Sequence, residues 1–110
     1  LQVPMFAVGS AVPEPPLVLA MEAISSALRS RPGLVHIYGH TDAREYKDNK
    51  LGNWNLSSDR AQATYFMLTH GGLEGARIAE ITAFADRKLR KKDAPFDAAN
   101  RRIEILLANP

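Results

Sequence analysis

The sequence contains no cysteine and has no long apolar run. The absence of cysteine excludes disulfide frameworks, cysteine nucleophiles and cysteine-based zinc sites. The longest apolar stretches are Leu17–Met21 and Ile103–Leu107, the second interrupted by Glu104. Both are far shorter than the ~20 residues that span a bilayer, and no signal peptide is recognisable. Because the chain begins at Leu1 without a methionine, we expect it to be a fragment or a processed form, and membrane segments could lie outside it.

Aromatic residues are also few, at 7%, while 45% of the residues are hydrophobic and 24% are charged. This is an ordinary globular composition. The length of 110 residues suits one domain. We therefore predict a single domain over residues 1–110, in which residues 1–16 form a lead-in that includes a short first strand.

The net charge is only +2, but its distribution is uneven. Five of the six residues at positions 87–92 are lysine or arginine, and the rest of the chain is net acidic. A solvated loop is the simplest interpretation of this basic cluster. Nucleic-acid binding is the alternative, but no aromatic residues are interleaved with the cations, so we predict no nucleic-acid partner.

Hydrophobic periodicity predicts strands and helices that alternate along the chain. The pattern indicates an α+β two-layer sandwich, with a mixed four-stranded sheet and helices packed on one face. Its last strand is expected to be antiparallel to its neighbour. The predicted elements are a strand at Val3–Val8, a helix from the Pro15-Pro16 pair to Leu28, a strand at Leu34–His40, a helix capped by Ser57 and ending at His70, a strand at Ile78–Phe84, a turn at Asp97–Asn100 and a strand at Arg102–Leu107.

Signatures of catalysis and of metal binding are weak. The serine-hydrolase, zinc-protease and P-loop motifs are absent. His36 and His40 share a strand face with Asp42, but four strand residues separate the histidines by about 13 Å, so we predict no metal site. A carboxylate pair of Asp42 with Glu45 or Asp48 lies in a polar stretch of alternating charge. Nothing there indicates a raised carboxyl pKa, and we predict that the protein is not an enzyme and uses no cofactor.

Asp42 and Arg60 form the most informative pair. Asp42 follows the second predicted strand, and Arg60 would occupy the first turn of the helix capped by Ser57, where a cation opposes the helix dipole. The end of a strand and the start of the following helix meet at one edge of a sheet, so the two side chains should be close. Together they suit the carboxylate and ammonium groups of an amino acid. Alternatively, Asp42 closes a local turn and Arg60 pairs on the surface with Asp59 or Asp42.

Four motifs in register resemble the OmpA-like peptidoglycan-binding family and cover nearly the whole chain. Within that family, the sequence around Trp54 and the Gly71-Gly72-Leu73 turn resemble the periplasmic domains of MotB-type flagellar stator proteins, as do Ala83–Asp86 and the long Asp42–Leu56 loop. The basic cluster belongs to none of these motifs. The four motifs are Phe6-x-x-Gly9-Ser10-Ala11, Gly39-His40-Thr41-Asp42, Leu56-Ser57-x-x-Arg60-Ala61 and Asn100-Arg101-Arg102-Ile103-Glu104-Ile105.

The resemblance implies noncovalent binding of the peptidoglycan stem peptide through its meso-diaminopimelate residue. In the family, the positions of Asp42 and Arg60 contact that ligand. The implied surroundings are Thr41, Leu56, Ser57, Asn100 and Arg101. The resemblance further implies a periplasmic domain of an inner-membrane-anchored protein, which forms a homodimer and meets a MotA-type subunit through a membrane helix outside this chain. Alternatively, the domain is part of an outer-membrane lipoprotein or porin.

Overall fold

The computed structural model describes residues 5–46 and 51–108. Two helices cover one side of a small sheet, and two short 3₁₀ turns precede the outer strands. Predicted and observed boundaries of the three strands differ by one residue. The elements are α1 (Pro15–Arg29), β1 (Leu34–Gly39), α2 (Gly52–His70), β2 (Ile78–Ala83) and β3 (Ile103–Ala108), with the 3₁₀ turns at Gly75–Arg77 and Ala98–Asn100.

The sheet has the strand order β2-β1-β3, so β1 is central. As predicted, β2 is parallel to β1 and β3 is antiparallel to it. The parallel connection runs through α2, because a parallel crossover needs a long connection that returns to the same end of the sheet. Val35 and Ile37 of β1 are fully buried among the helices, whereas His36 and Tyr38 point to the other face of the sheet.

Helix α1 follows the predicted pattern closely. Two prolines open it, where their missing N–H groups have no helical partner. Its buried apolar residues Leu17, Met21 and Leu28 lie on one face and join the common core. Burying each such side chain contributes about 1.5–3 kcal/mol, and this burial fixes α1 against α2.

The fourth strand, predicted at Val3–Val8, is not found among the described residues, where the sheet has three strands. Val3 itself lies outside the described residues. Phe6 instead forms an isolated antiparallel bridge with Pro13, and the Glu14 N–H donates to the Met5 carbonyl at 2.9 Å. The chain reverses through Gly9, whose φ of +68° suits glycine. The backbone groups of this segment therefore pair with one another and with distant side chains, rather than along a sheet edge.

The start of α2 was also predicted wrongly. Ser57 is not an N-cap, because the helix begins five residues earlier at Gly52. The Ser57 hydroxyl donates to the Trp54 carbonyl within the helix and accepts the Ala85 N–H at 3.0 Å. A residue type typical of helix caps therefore serves a tertiary contact. Arg60 lies in the third turn of α2, so the prediction that it opposes the helix dipole from the first turn is wrong.

The close approach of Gly39 to α2 positions the candidate site. A Cβ atom at Gly39 would overlap the Ser57 carbonyl oxygen and press against Ala61. Only glycine lets the end of β1 lie directly on the helix, which brings the residues after β1 next to Arg60. No described helix combines the length and apolarity that crossing a membrane requires.

Candidate functional site

Arg60 is the largest fully buried side chain among the described residues. Its Nε donates to the Ser10 carbonyl at 2.9 Å, its Nη2 to the Ala7 carbonyl at 3.1 Å, and its Nη1 to the His40 carbonyl at 3.1 Å. Burial lowers the pKa of Arg60 to about 10, and the nearby Asp42 carboxylate partly opposes this effect. The guanidinium is therefore charged at neutral pH.

Asp42 is also buried, with 2% of its surface exposed. Arg101 Nη1 donates to its Oδ2 at 3.0 Å, and Arg44 Nε lies 3.4 Å from the same oxygen. The other oxygen accepts the backbone N–H of Arg44, which closes a local turn of the kind expected for Asp at a strand end. The local turn predicted for Asp42 is therefore observed, whereas the predicted direct pairing with Arg60 is not: the ion-pair partners of Asp42 are Arg101 and Arg44.

Asp42 and Arg60, the two residues predicted to pair, nevertheless lie close enough to interact electrostatically. Asp42 and Arg101 both act electrostatically on Arg60. The N-terminal turn, which we define as residues 6–10, covers the cluster: the Arg101 Nε donates to the Phe6 carbonyl, and the Phe6 ring lies 5.0 Å from the Arg60 guanidinium carbon. One buried carboxylate therefore lies among buried arginines, an arrangement that can bind a ligand carrying both charges once the turn moves away.

The other predicted site residues surround this cluster in different ways. The Thr41 hydroxyl is buried and has no hydrogen-bond partner among the described residues, which is rare for a buried polar atom. The Ser57 hydroxyl accepts a hydrogen bond from the Ala85 N–H, and Leu56 is half-buried beside Ser57 on α2. The buried Asn100 side chain accepts the Lys91 N–H at 2.8 Å, so it supports the basic cluster rather than Asp42.

The two histidines do not converge with Asp42. His36 pairs with Glu80 at 2.6 Å, and His40 Nε2 lies 2.9 Å from Glu104, both on the sheet face away from the helices. Within the described part of the chain, no group of three or more metal-ligating side chains is arranged to hold an ion. Burial lowers the pKa of His40, with a further contribution from the nearby Arg102.

Two contributors to the site were not predicted from the sequence. The first is Arg44, although its place two residues after Asp42 is the spacing of a local Asx turn. The backbone of the N-terminal turn was also missed, because carbonyl acceptors leave no mark in a sequence. Arg77 shows the same chemistry elsewhere: it donates to the carbonyls of Gly33, Leu28 and Arg31 near the start of β1.

The model of the OmpA family matches residues 5–102, and the chain belongs to that family. It is 37% identical over 108 residues to Motility protein B of Escherichia coli K12, covering 96% of this chain and 35% of the relative. The chain thus spans about a third of the length of that relative. The predicted resemblance to MotB-type proteins is confirmed.

Solved structures show the same fold. The C-terminal domain of Helicobacter pylori MotB superposes with a TM-score of 0.78 at 18% identity, covering 98% of this chain and 86% of that one. The peptidoglycan-associated lipoprotein of Burkholderia pseudomallei gives a TM-score of 0.78 at 22% identity, covering 96% and 88%. At these identities the comparison establishes the fold alone.

Proposed function

We propose that this domain binds peptidoglycan noncovalently, without catalysis, and anchors a flagellar stator to the cell wall from the periplasm. The observation that carries the proposal is the buried cluster of Asp42, Arg60 and Arg101 at the end of β1. Membership of the OmpA family and the identity to Motility protein B support it. Burying three charged groups is costly unless they are paired, so such a cluster is a candidate for function as well as for structure.

The ligand in this proposal is the meso-diaminopimelate residue of the stem peptide. Its carboxylate binds Arg60 and its ammonium group binds Asp42, whose two oxygens can each accept more than one hydrogen bond. Thr41 supplies an unpartnered hydroxyl beside them. The remaining residues that we assign to the surroundings of the ligand are Leu56, Ser57, Asn100 and Arg101.

Binding at Arg60 requires the N-terminal turn to move. The Nε and Nη2 atoms form the edge of a guanidinium that a carboxylate occupies with two parallel hydrogen bonds. In the structure the carbonyl oxygens of Ser10 and Ala7 occupy that edge. A ligand carboxylate would replace these two oxygens, while the bond from Nη1 to the His40 carbonyl keeps the guanidinium on β1.

A stator must resist the torque that it applies to the rotor, and attachment to the wall supplies the reaction force. We expect two copies per stator dimer, so that moderate affinity at each site is multiplied by avidity. The MotA-type partner and the membrane helix would belong to parts of the protein beyond this chain. An outer-membrane lipoprotein or porin anchor is the second candidate, because the Burkholderia lipoprotein has the same fold. A full-length sequence with an N-terminal membrane helix favours the stator, and a lipid-attachment cysteine or a barrel favours the anchor.

Co-sedimentation with purified sacculi tests the proposal. We compare the native domain with Asp42→Asn and Arg60→Lys, using Arg77→Lys as the matched control because Arg77 also donates to three backbone carbonyls. Losing one charge-assisted contact should weaken binding about tenfold or more. Arg77→Lys should bind like the native domain, and free meso-diaminopimelate should compete.

Three results would contradict parts of the proposal. Native-like pelleting of folded Asp42→Asn and Arg60→Lys variants would remove the site. Failure of meso-diaminopimelate to compete would exclude that ligand. Release of soluble muropeptides would identify an enzyme.

A further inference from the structure

The basic cluster forms a segment of the chain, residues 87–92, which we call the basic segment. It is attached to the candidate site at several points. The Thr41 N–H donates to the Ala85 carbonyl at 2.9 Å, two residues before the segment, and the Ala43 N–H donates to the Pro95 carbonyl at 2.9 Å, three residues after it. These two bonds lie on either side of Asp42. The segment is therefore a fixed neighbour of the buried cluster rather than a loose loop.

Two side chains from residues that follow the segment in sequence hold its backbone in place. The Asn100 side chain accepts the Lys91 N–H and donates to the Ala94 carbonyl at 3.0 Å. Arg102 Nη2 donates to the Lys88 carbonyl at 3.0 Å. Because the backbone is fixed at these points, the segment has a defined position relative to Asp42.

Three of the five cations, Lys88, Arg90 and Lys92, take part in no ion pair formed by described residues. Arg87 and Lys91 each lie 3.7 Å from a carboxylate, that of Asp86 and that of Asp97. The Arg87 side chain is nevertheless 70% exposed, and its guanidinium lies 5.6 Å from the ring of Trp54, at the start of α2. An exposed cation over an aromatic face keeps its charge and loses little side-chain freedom when it binds an anion.

A second cation–aromatic pair lies next to Asp42. Arg44 Nε is 3.4 Å from the Asp42 carboxylate, its guanidinium carbon lies 5.4 Å from the centroid of the Phe96 ring, and 55% of Phe96 is exposed. Together with the basic segment, these two pairs form a positively charged surface beside Asp42, which we call the rim. Both pairs present an aromatic ring next to the charge.

We infer that this rim is a second contact surface for the wall, which binds the carboxylate groups of stem peptides next to the one held at Asp42. The inference rests on the proposed function and extends it from a single amino-acid site to a surface. Peptidoglycan stems carry several carboxylates, so the wall is a polyanion that complements the basic segment. Exposed charges act mainly by steering and by salt-sensitive attraction, and they leave the choice of ligand to the buried site.

The test uses two double variants that remove the same charge. Arg87→Gln/Lys92→Gln changes the basic segment near the end of β2, and Arg29→Gln/Arg31→Gln changes the opposite end of the sheet, before β1. Binding to purified sacculi is measured at low and at physiological ionic strength. We expect the first variant to bind about three- to tenfold more weakly at low salt, with a flatter salt dependence, and the control to bind like the native domain.

Two further experiments identify which anionic groups the rim binds. When the carboxylates of the sacculi are blocked by amidation, the difference between the two double variants should disappear. Anionic phospholipid vesicles should bind the native domain more weakly than sacculi. Equal binding of the two variants, an unchanged difference on amidated sacculi, or a preference for vesicles would each overturn the inference.

Asp42→Asn separates this inference from the proposed function. If Asp42→Asn weakens binding and Arg87→Gln/Lys92→Gln does not, only the inference fails. If the native domain does not pellet at any salt concentration, the proposed function fails and the inference fails with it.

Discussion

Replacing Arg60 by methionine removes every hydrogen bond that the N-terminal turn receives from α2. Methionine keeps much of the aliphatic length of arginine but has no donor. The carbonyls of Ala7, Ser10 and His40 would then lose their partner inside a region where Arg60 is fully buried. The substitution therefore tests whether the guanidinium stabilises the fold as well as forming the candidate site.

The expected loss of stability is large. A hydrogen bond from a charged group contributes about 1.5–3 kcal/mol, and Arg60 makes three. Part of this is offset because burying the charge is unfavourable, which is why the pKa of Arg60 falls to about 10. We expect a net loss of about 3–5 kcal/mol in the free energy of unfolding. For a domain of this size, that lowers Tm by roughly 12 °C or more.

Urea unfolding followed by circular dichroism measures the change. Arg60→Lys keeps the charge but cannot span three acceptors, so its loss should be intermediate. Arg77→Met should cost less, about 1–3 kcal/mol, because one of its three carbonyl contacts is exposed to solvent. If Arg60→Met unfolds within about 1 kcal/mol of the native domain, the three bonds do not stabilise the turn and the reasoning is refuted.

Three other perturbations follow from the same structure. Gly39→Ala should destabilise the domain by several kcal/mol, on the order of an overpacked core, because the added Cβ meets the Ser57 backbone; a native Tm would contradict this. The free energy of unfolding should fall as pH drops below about 6.5 towards the lowered pKa of His40, because the unfolded chain binds the proton at a higher pH than the folded chain does. Urea unfolding at several pH values should show a weaker pH dependence of stability for His40→Gln; the same pH dependence as in the native domain would exclude His40 as the cause. Asn100→Ala should cost about 2–3 kcal/mol and speed amide exchange at Lys91, which hydrogen-exchange NMR can follow; unchanged exchange would show that Asn100 does not fix the basic segment.

Much of the fold could be predicted from the pattern of the sequence. The spacing of Leu17, Met21 and Leu28 indicated α1, and the alternation around Val35 and Ile37 indicated the central strand. These predictions succeeded because a helix or strand that buries one face shows apolar residues at a regular spacing in the sequence. The capping turn at Asp97 was also correct: its side chain accepts the Ala99 N–H at 2.8 Å.

The failures share a cause. Ser57 has the chemistry of a helix cap, yet its hydroxyl bonds to Ala85, which is 28 positions away. The stretch predicted as the first strand is apolar, yet Phe6 bridges to Pro13 instead. In both places a hydrogen-bonding group had two possible partners, and local sequence could not show which one the folded chain would bring near.

By itself, the sequence indicated Asp42, Arg60 and Arg101 as candidate site residues, because each lies in a short motif and the motifs follow one another in a fixed order along the chain. Only the tertiary structure determined how those charges pair. Asp42 pairs with Arg101 rather than with Arg60, and the Arg60 guanidinium is occupied by the carbonyls of Ala7 and Ser10. The physical reason is that backbone carbonyls are identical at every residue, so their competition for a buried cation depends on where the folded chain places them.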